Sequence, residues 1–303
     1  MSGTALFRKC FFCTSGLLIL LWPPFVIAEE AIDKIRLGFS SNAFVNIPKN
    51  DMKIAVQVLS KKVASKTFSS VDSRIYDSIS DIENDLKAKK LDGLAITPDE
   101  FIHLRQRVPV EPAMLTVAGS SYEIELLLLV RKDSGINGVA ELKGRVITLP
   151  MRNAQYGAIY RIWVETLVMK ENGAIDTFFS SINEADSVSK AIMPVFFKKV
   201  AACVITRQAY EVSSELNPQL SRELKVIRQI GGLAGGIIAF RKDLSDASKQ
   251  KMRQGLLDLD KDQEGRQLLM LFRLNSLAPF QPEYMKNTEM LYAEHSRLVA
   301  RRR

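Results

Sequence analysis

Five apolar residues in a row, Leu126-Leu127-Leu128-Leu129-Val130, do most to limit what this chain can become. The run does not alternate, so it offers no polar face to water and reads as a strand covered on both sides. Such a strand belongs to a sheet sandwiched between helices. The stretch after it continues that theme. Asp133-Ser134-Gly135 breaks the run, residues 139–142 make a short helical turn closed by Lys143-Gly144, and RVITL (145–149) is a second strand. Pro150 to Gly157 then leads from the end of that strand into a long helix. In open α/β sheets this is where ligands bind.

The same rhythm runs along the chain. KIRLGF (34–39) reads as a first strand, followed by the polar loop Ser40-Ser41-Asn42. Residues 51–64 carry a helical stripe of Met52, Ala55, Val56, Leu59 and Val63. Strands are expected at 69–76 and 91–96, around a helix at 79–89 capped by Asp81. The third strand ends at Thr97-Pro98-Asp99-Glu100, where Pro98 suits a first helical turn and the two acids suit its positive end. A strand at 110–118 and the residues Gly119-Ser120-Ser121-Tyr122 cross to a second lobe. There the pattern predicts a helix at 158–170, a strand at 175–179, a helix at 184–193 and a strand at 200–205. The last is followed by Thr206-Arg207. A strand at 224–230 returns the chain, and Gly231 to Gly236 reads as a flexible loop near the hinge. It lacks the spacing and the Lys of a phosphate-binding loop. A strand at 237–241 and helices at 246–258, 263–273 and 281–303 complete the chain. Strands alternating with helices argue parallel α/β sheets.

The first residues read as an export leader. Arg8 and Lys9 precede an apolar stretch at 11–21, and Val26-Ile27-Ala28 supplies small residues for a cut before Glu29. Trp22-Pro23-Pro24 interrupts the apolar run and disfavours a membrane-spanning helix, although an uncleaved anchor stays open. The formal charge of the whole chain is +8. A basic balance suits nucleic acid, membrane surfaces or anionic solutes. No stretch interleaves Lys or Arg with aromatics as nucleic-acid motifs do, and Arg301-Arg302-Arg303 reads as a solvated tail. Cys10 and Cys13 lie in the leader, so only Cys203 remains, as a buried strand thiol with no disulfide partner. His103 and His295 lack metal-ligand spacing, and no G-x-S-x-G elbow is present. No enzyme activity, cofactor or metal is expected.

Several pieces resemble the phosphate/phosphite/phosphonate-type periplasmic substrate-binding proteins of ABC transporters. They are GFSSNAF, KKLDGLAITPDEF, LLLLVRKDSGINGVAELKGRVI, AACVITRQAYEV and IIAFRKDLSDASKQKMRQGLLDLDKDQEGRQLL, in family order. The resemblance implies the type 2 periplasmic-binding-protein architecture: two Rossmann-like α/β lobes joined by crossing strands, closing on a ligand. On this reading residues 1–28 are the leader, 29–120 and 231–303 form lobe 1, and 121–230 form lobe 2. One loop departs from the family. Phosphonate binders usually carry S-T-S-G after the strand matching RVITL; here Asn153-Ala154-Gln155-Tyr156-Gly157 stands there. A family His in the next loop is also absent, with Ser181-Ile182-Asn183 in its place.

The candidate site residues all follow strands. Arg152 either pairs a ligand oxyanion or is an exposed loop residue. Asn153 is a donor or a helix cap. Gln155 offers a second amide, and Tyr156 is a ligand wall or a packing residue. Ser40, Ser41 and Asn42 line the first lobe's side or form a plain loop. Thr97 and Asp99 are donors or caps, and Thr206 and Arg207 end a strand facing the cleft. The expectation is an exported, monomeric solute-binding protein that traps a small anion, phosphonate- or phosphate-like, for an ABC permease. The altered loop motivates an alternative on the same fold, a periplasmic sensory subunit signalling to a membrane kinase or cyclase. No nucleic-acid partner is expected.

Overall fold

The computed structural model describes residues 33–44, 49–65, 68–119, 121–151 and 157–302. Along the chain the first lobe begins with β1 (Lys34–Ser40), α1 (Lys49–Ala64), β2 (Ser70–Tyr76), α2 (Ile79–Lys87), β3 (Gly93–Ile96), α3 (Pro98–Leu104) and β4 (Val110–Val117). The second lobe holds β5 (Glu123–Arg131), β6 (Val146–Pro150), α4 (Gly157–Lys170), α5 (Ile175–Phe178), β7 (Ser181–Ala185), α6 (Val188–Phe196), β8 (Ala202–Thr206), α7 (Arg207–Leu216), α8 (Gln219–Glu223) and β9 (Leu224–Ala234). The chain returns through β10 (Ile237–Arg241), α9 (Asp246–Leu257), α10 (Gln263–Leu271) and β11 (Ser276–Pro279), and ends in α11 (Lys286–Ala300).

Both lobes use one plan. The first sheet runs β11-β4-β10-β3-β1-β2 and the second β7-β6-β8-β5-β9. In each, three strands are parallel: β2, β1 and β3 in the first, β7, β6 and β8 in the second. Each trio is flanked by a strand running the other way, β10 against β3 and β5 against β8. The two mixed α/β lobes therefore have the type 2 periplasmic-binding-protein architecture that the resemblance implies.

The run of Leu residues explains why the second sheet is covered twice. Leu126, Leu128 and Val130 pack into one core cluster with Ile147, Trp163 and Val164 of β6 and α4. Leu127 and Leu129 pack into another, with Ile192, Val195 and Ile205. Strand alternation sorts one apolar run onto two faces. Each such side chain contributes about 2 kcal/mol of burial. In the first lobe the buried Asp92 plays a fastening role. It accepts from the Arg36 amide at 3.0 Å, from Arg36 Nε and Nη2 at 2.8 and 2.7 Å, and from Arg241 Nη2 at 3.1 Å, tying β1, β3 and β10. A buried carboxylate is tolerated because it is fully paired.

Besides the cap of α2, which is Ser78, its hydroxyl accepting from the Ser80 amide at 3.2 Å, and not Asp81, three expectations change. The strand expected at 175–179 is the short helix α5, and the pairing strand is Ser181–Ala185. β7 is a sheet edge with β6 as its single neighbour, so its polar SINEA sequence suffices. The stretch 231–236 is not a loop throughout, because residues 231–234 complete β9 and only Gly235-Gly236 connect onward. There the backbone approaches β4 closely. The Gly236 amide donates to Thr116 Oγ1 at 2.7 Å, and a Cβ on either glycine would stand 3.0 Å from the Thr116 side chain. The third change concerns α11, expected in lobe 1 with the rest of 231–303. It packs instead on α4 and β9. Leu291 joins the lobe 2 core, His295 Nε2 meets Glu165 Oε2 at 2.8 Å, and Lys170 pairs Glu294 at 3.0 Å. A further pair, Arg105 with Glu289 at 2.5 Å, reaches back to α3.

Candidate functional site

Three parallel strands of lobe 2 deliver their carboxyl ends to one side of the sheet: Pro150, Ala185 and Thr206. A helix follows each. Ser187 caps α6, its hydroxyl accepting from the Lys190 amide at 3.4 Å. Thr206 caps α7, accepting from the Ala209 amide at 3.2 Å. A cap satisfies one first-turn amide and leaves others without an intrahelical partner, at the positive end of the helix dipole. Such helix starts suit an anion.

These ends line a cleft of about 720 Å3, within the roughly 300–1,000 Å3 usual for small-molecule sites. Its other walls are Thr116, Ala118, Gly119, Ser121 and Tyr122 at the crossing, and Arg273 from lobe 1. Charges of both signs face it. Glu123, Glu125, Asp186 and Glu211 line it, as do Arg207 and Arg273. The two arginines differ. Arg207 is committed: Nε donates to Glu125 Oε2, Nη2 to Glu125 Oε1 at 2.8 Å and to Gln229 Oε1 at 3.2 Å. That fork holds the Glu125 carboxyl below its ordinary range and raises the guanidinium. Arg273 is exposed, takes left-handed backbone (φ 57°) just past α10, and has no ion-pair partner among the described residues.

The lobe 1 candidates are arranged differently. Ser40 is buried and donates to Glu100 Oε1 at 2.6 Å, and Asn42 Nδ2 donates to the same oxygen at 2.9 Å. The other Glu100 oxygen accepts from the Thr97 amide at 3.0 Å, one arm of a capping box. One buried carboxylate thus consumes donors expected for a ligand. None of Ser40, Asn42, Thr97 or Asp99 is among the residues lining the cleft. Ser41 lines a separate groove with Lys53 and Arg74. Asp99, also at the start of α3, is held above its ordinary range, chiefly by burial and against the pull of a Thr97 hydrogen bond. The Tyr292 phenol of α11 is near enough to feel its charge. Arg152, Asn153, Gln155 and Tyr156 lie outside the described residues.

Of the expected residues, then, Thr206 and Arg207 meet in the cleft. Sequence reasoning missed Arg273, Glu125 and Ser187. Ser187 carried a signal, a hydroxyl residue three positions before the amide it caps. Arg273 carried none, since only the tertiary fold brings a residue past α10 to the crossing. Neither histidine approaches the cleft: His103 is 4.0 Å from Glu83 on lobe 1, and His295 bonds Glu165. Cys203 is buried in β8, its thiol pushed up to about 12 by burial. Among the described residues no group of three His, Cys, Asp or Glu side chains is placed to hold a metal ion, and no helix is long and apolar enough to cross a membrane.

Against known families, residues 46–284 match the model of the phosphonate periplasmic substrate-binding proteins of ABC transporters. Solved structures share the fold at low identity. XAC2383 from Xanthomonas citri, in a structure bound to ATP, superposes with a TM-score of 0.64 at 14% identity, covering 89% of this chain and 99% of that one. A binding-protein component of an ABC phosphonate transporter from Pseudomonas aeruginosa gives 0.58 at 18%, covering 88% and 87%. PhnD1 from Prochlorococcus marinus, in complex with methylphosphonate, gives 0.58 at 16%, covering 86% and 98%. A comparison with curated proteins returned no match.

Proposed function

Since the chain belongs to the phosphonate family of periplasmic substrate-binding proteins of ABC transporters, we propose that its cleft takes a small phosphonate- or phosphate-like anion and hands it to an ABC permease. One observation carries the ligand class: the capped starts of α6 and α7 face the same 720 Å3 cleft as Arg273, which has no ion-pair partner among the described residues. Amides at a helix start hold an oxyanion without a full counter-charge, and a free guanidinium supplies one. Asp186, beside the cap of α6, is paired with Lys190 at 2.7 Å, while the carboxylates of Glu123 and Glu211 repel an anion elsewhere in the cleft. They confine its charged head to the helix starts. Arg152, Asn153, Gln155 and Tyr156, between β6 and α4, are proposed to complete that wall as the third helix start of lobe 2. Residues 1–28 are proposed to be the leader that brings the chain to the periplasm.

Thermal denaturation of the mature protein with phosphate, phosphite, methylphosphonate, sulfonates, carboxylates and amino acids tests this. A ligand that binds only the folded state adds about 2.7 kcal/mol at a hundredfold excess over its dissociation constant. A stabilisation confined to phosphorus oxyanions, and reduced in Arg273→Ala and in Arg152→Ala, is expected. No stabilisation by any of them sinks the ligand class. Full retention in both variants sinks the placement.

A further inference from the structure

Lobe 1 contains a second space, separate in kind from the cleft. It lies between one face of the first sheet and the layer of α1, α9 and α10, and measures about 100 Å3. Its walls are almost wholly apolar, with Leu59, Met252, Leu256, Leu269, Phe272 and Leu277 among them. Ser60 also lines it. That residue is 1% exposed, and its hydroxyl has no hydrogen-bond partner among the described residues. Buried hydroxyls without a partner also occur among the described residues at Thr148, Ser214 and Tyr292, and Thr97 lines this chamber as well. Thr166 in α4 and Ser213 in α7 bond the carbonyl four residues back, both at 2.7 Å, the ordinary resort of a helical hydroxyl. Ser60, equally helical, does not.

A buried hydroxyl left unmade is costly, and a polar group in an apolar chamber normally has something to bind. Water fits poorly. The space is several times the ~10–15 Å3 that one water needs, yet each water needs two to four polar partners. The few hydroxyls on its lining, those of Ser60, Thr97 and Thr116, cannot satisfy a filled chamber. A molecule with an aliphatic body and one polar atom satisfies both demands: the body meets the leucines and the polar atom meets Ser60.

We propose that this lobe 1 cavity is a second ligand site, taking a small neutral amphiphile with a short aliphatic body and a single hydroxyl or carbonyl, seated on Ser60. The site is independent of the anion reading, since it shares neither the helix starts nor an arginine.

Met252 gives a local probe. The full chain, labelled on its methionine methyls, is titrated with 1-butanol and followed by NMR. The Met252 methyl shifts saturably while the exposed Met290 methyl stays still. Ser60→Ala weakens 1-butanol about fivefold, the worth of one hydrogen bond, and leaves cyclopentane, which has no polar atom, unchanged. Ala95→Ile, which fills the cavity from β3, removes both. A Met252 response that is linear in butanol and parallels Met290 overturns the proposal, as does equal butanol affinity in Ser60→Ala and wild type. Where the filled variant does not fold, a xenon-pressurised crystal of the wild type reads the space directly. Xenon between Leu59, Met252 and Leu256 is expected, and none there overturns the site.

Discussion

The strand ends of the two lobes carry similar residue types and use them in opposite ways. In lobe 1, Ser40, Asn42 and the Thr97 amide meet at one carboxylate, Glu100; Ser40, Thr97 and Glu100 are buried and Asn42 is exposed. In lobe 2, Ser187 and Thr206 each cap the helix that follows, leaving helix starts open to a cleft. Lobe 1 has filled the position at the start of α3 with a side chain of its own, and lobe 2 caps the starts of α6 and α7 with hydroxyls. The difference teaches that a donor's value to a ligand depends on what already accepts from it. Hydroxyls after strands are common, and the unspent ones make a site.

The largest expected effect breaks that comparison at its centre. Glu100→Ala strands two buried donors at once, the Ser40 hydroxyl and the Thr97 amide, and an unmatched buried group costs about 1–3 kcal/mol. A loss of about 3 kcal/mol in urea unfolding is expected. Arg207→Ala, which removes a half-exposed pair from the lobe 2 wall, should cost under about 1 kcal/mol. Equal losses would mean the two walls are fastened alike. Next in size is the effect on ligand. Arg273→Ala removes the cleft cation that has no ion-pair partner among the described residues, worth about 1.5 kcal/mol to an oxyanion, or about tenfold in affinity. Calorimetry with methylphosphonate checks it, and the ligand-free melting temperature should not move.

Much of the fold was legible because its signals are local. Leu126 to Val130 could only be a doubly covered strand, and its neighbours sort to two clusters as alternation requires. Thr97-Pro98-Asp99-Glu100 was legible as a helix start, and Glu100 does bond the Thr97 amide three residues away. Its bonds to Ser40 and Asn42 span 60 and 58 residues, and the Arg207 fork to Glu125 spans 82. No spacing rule reaches across such separations. Sequence showed which side chains could donate but not which acceptors would reach them. The same limit explains α11: its stripe predicts a helix, while the identity of the partner lobe depends on where Glu165 and the β9 edge stand.

Asp99 sharpens the comparison most finely, because two forces act on one carboxyl. It sits at the positive end of α3, which favours its charge, and it is half-buried, which opposes it. Burial prevails, and the carboxyl is held above its ordinary range. A raised carboxyl binds its proton more tightly in the folded chain than in the unfolded one. Its contribution to stability is therefore fully present below about pH 3.9, the unfolded value, and is lost as pH rises through the folded value. Asp99→Asn keeps the shape and removes the charge. The variant should match wild type near pH 3 and exceed it at neutral pH, in urea titrations across that range. A neutral-pH deficit would instead show the helix start outweighing burial. The carboxylate would then be held in its charged form by the start of α3 and the Thr97 hydrogen bond.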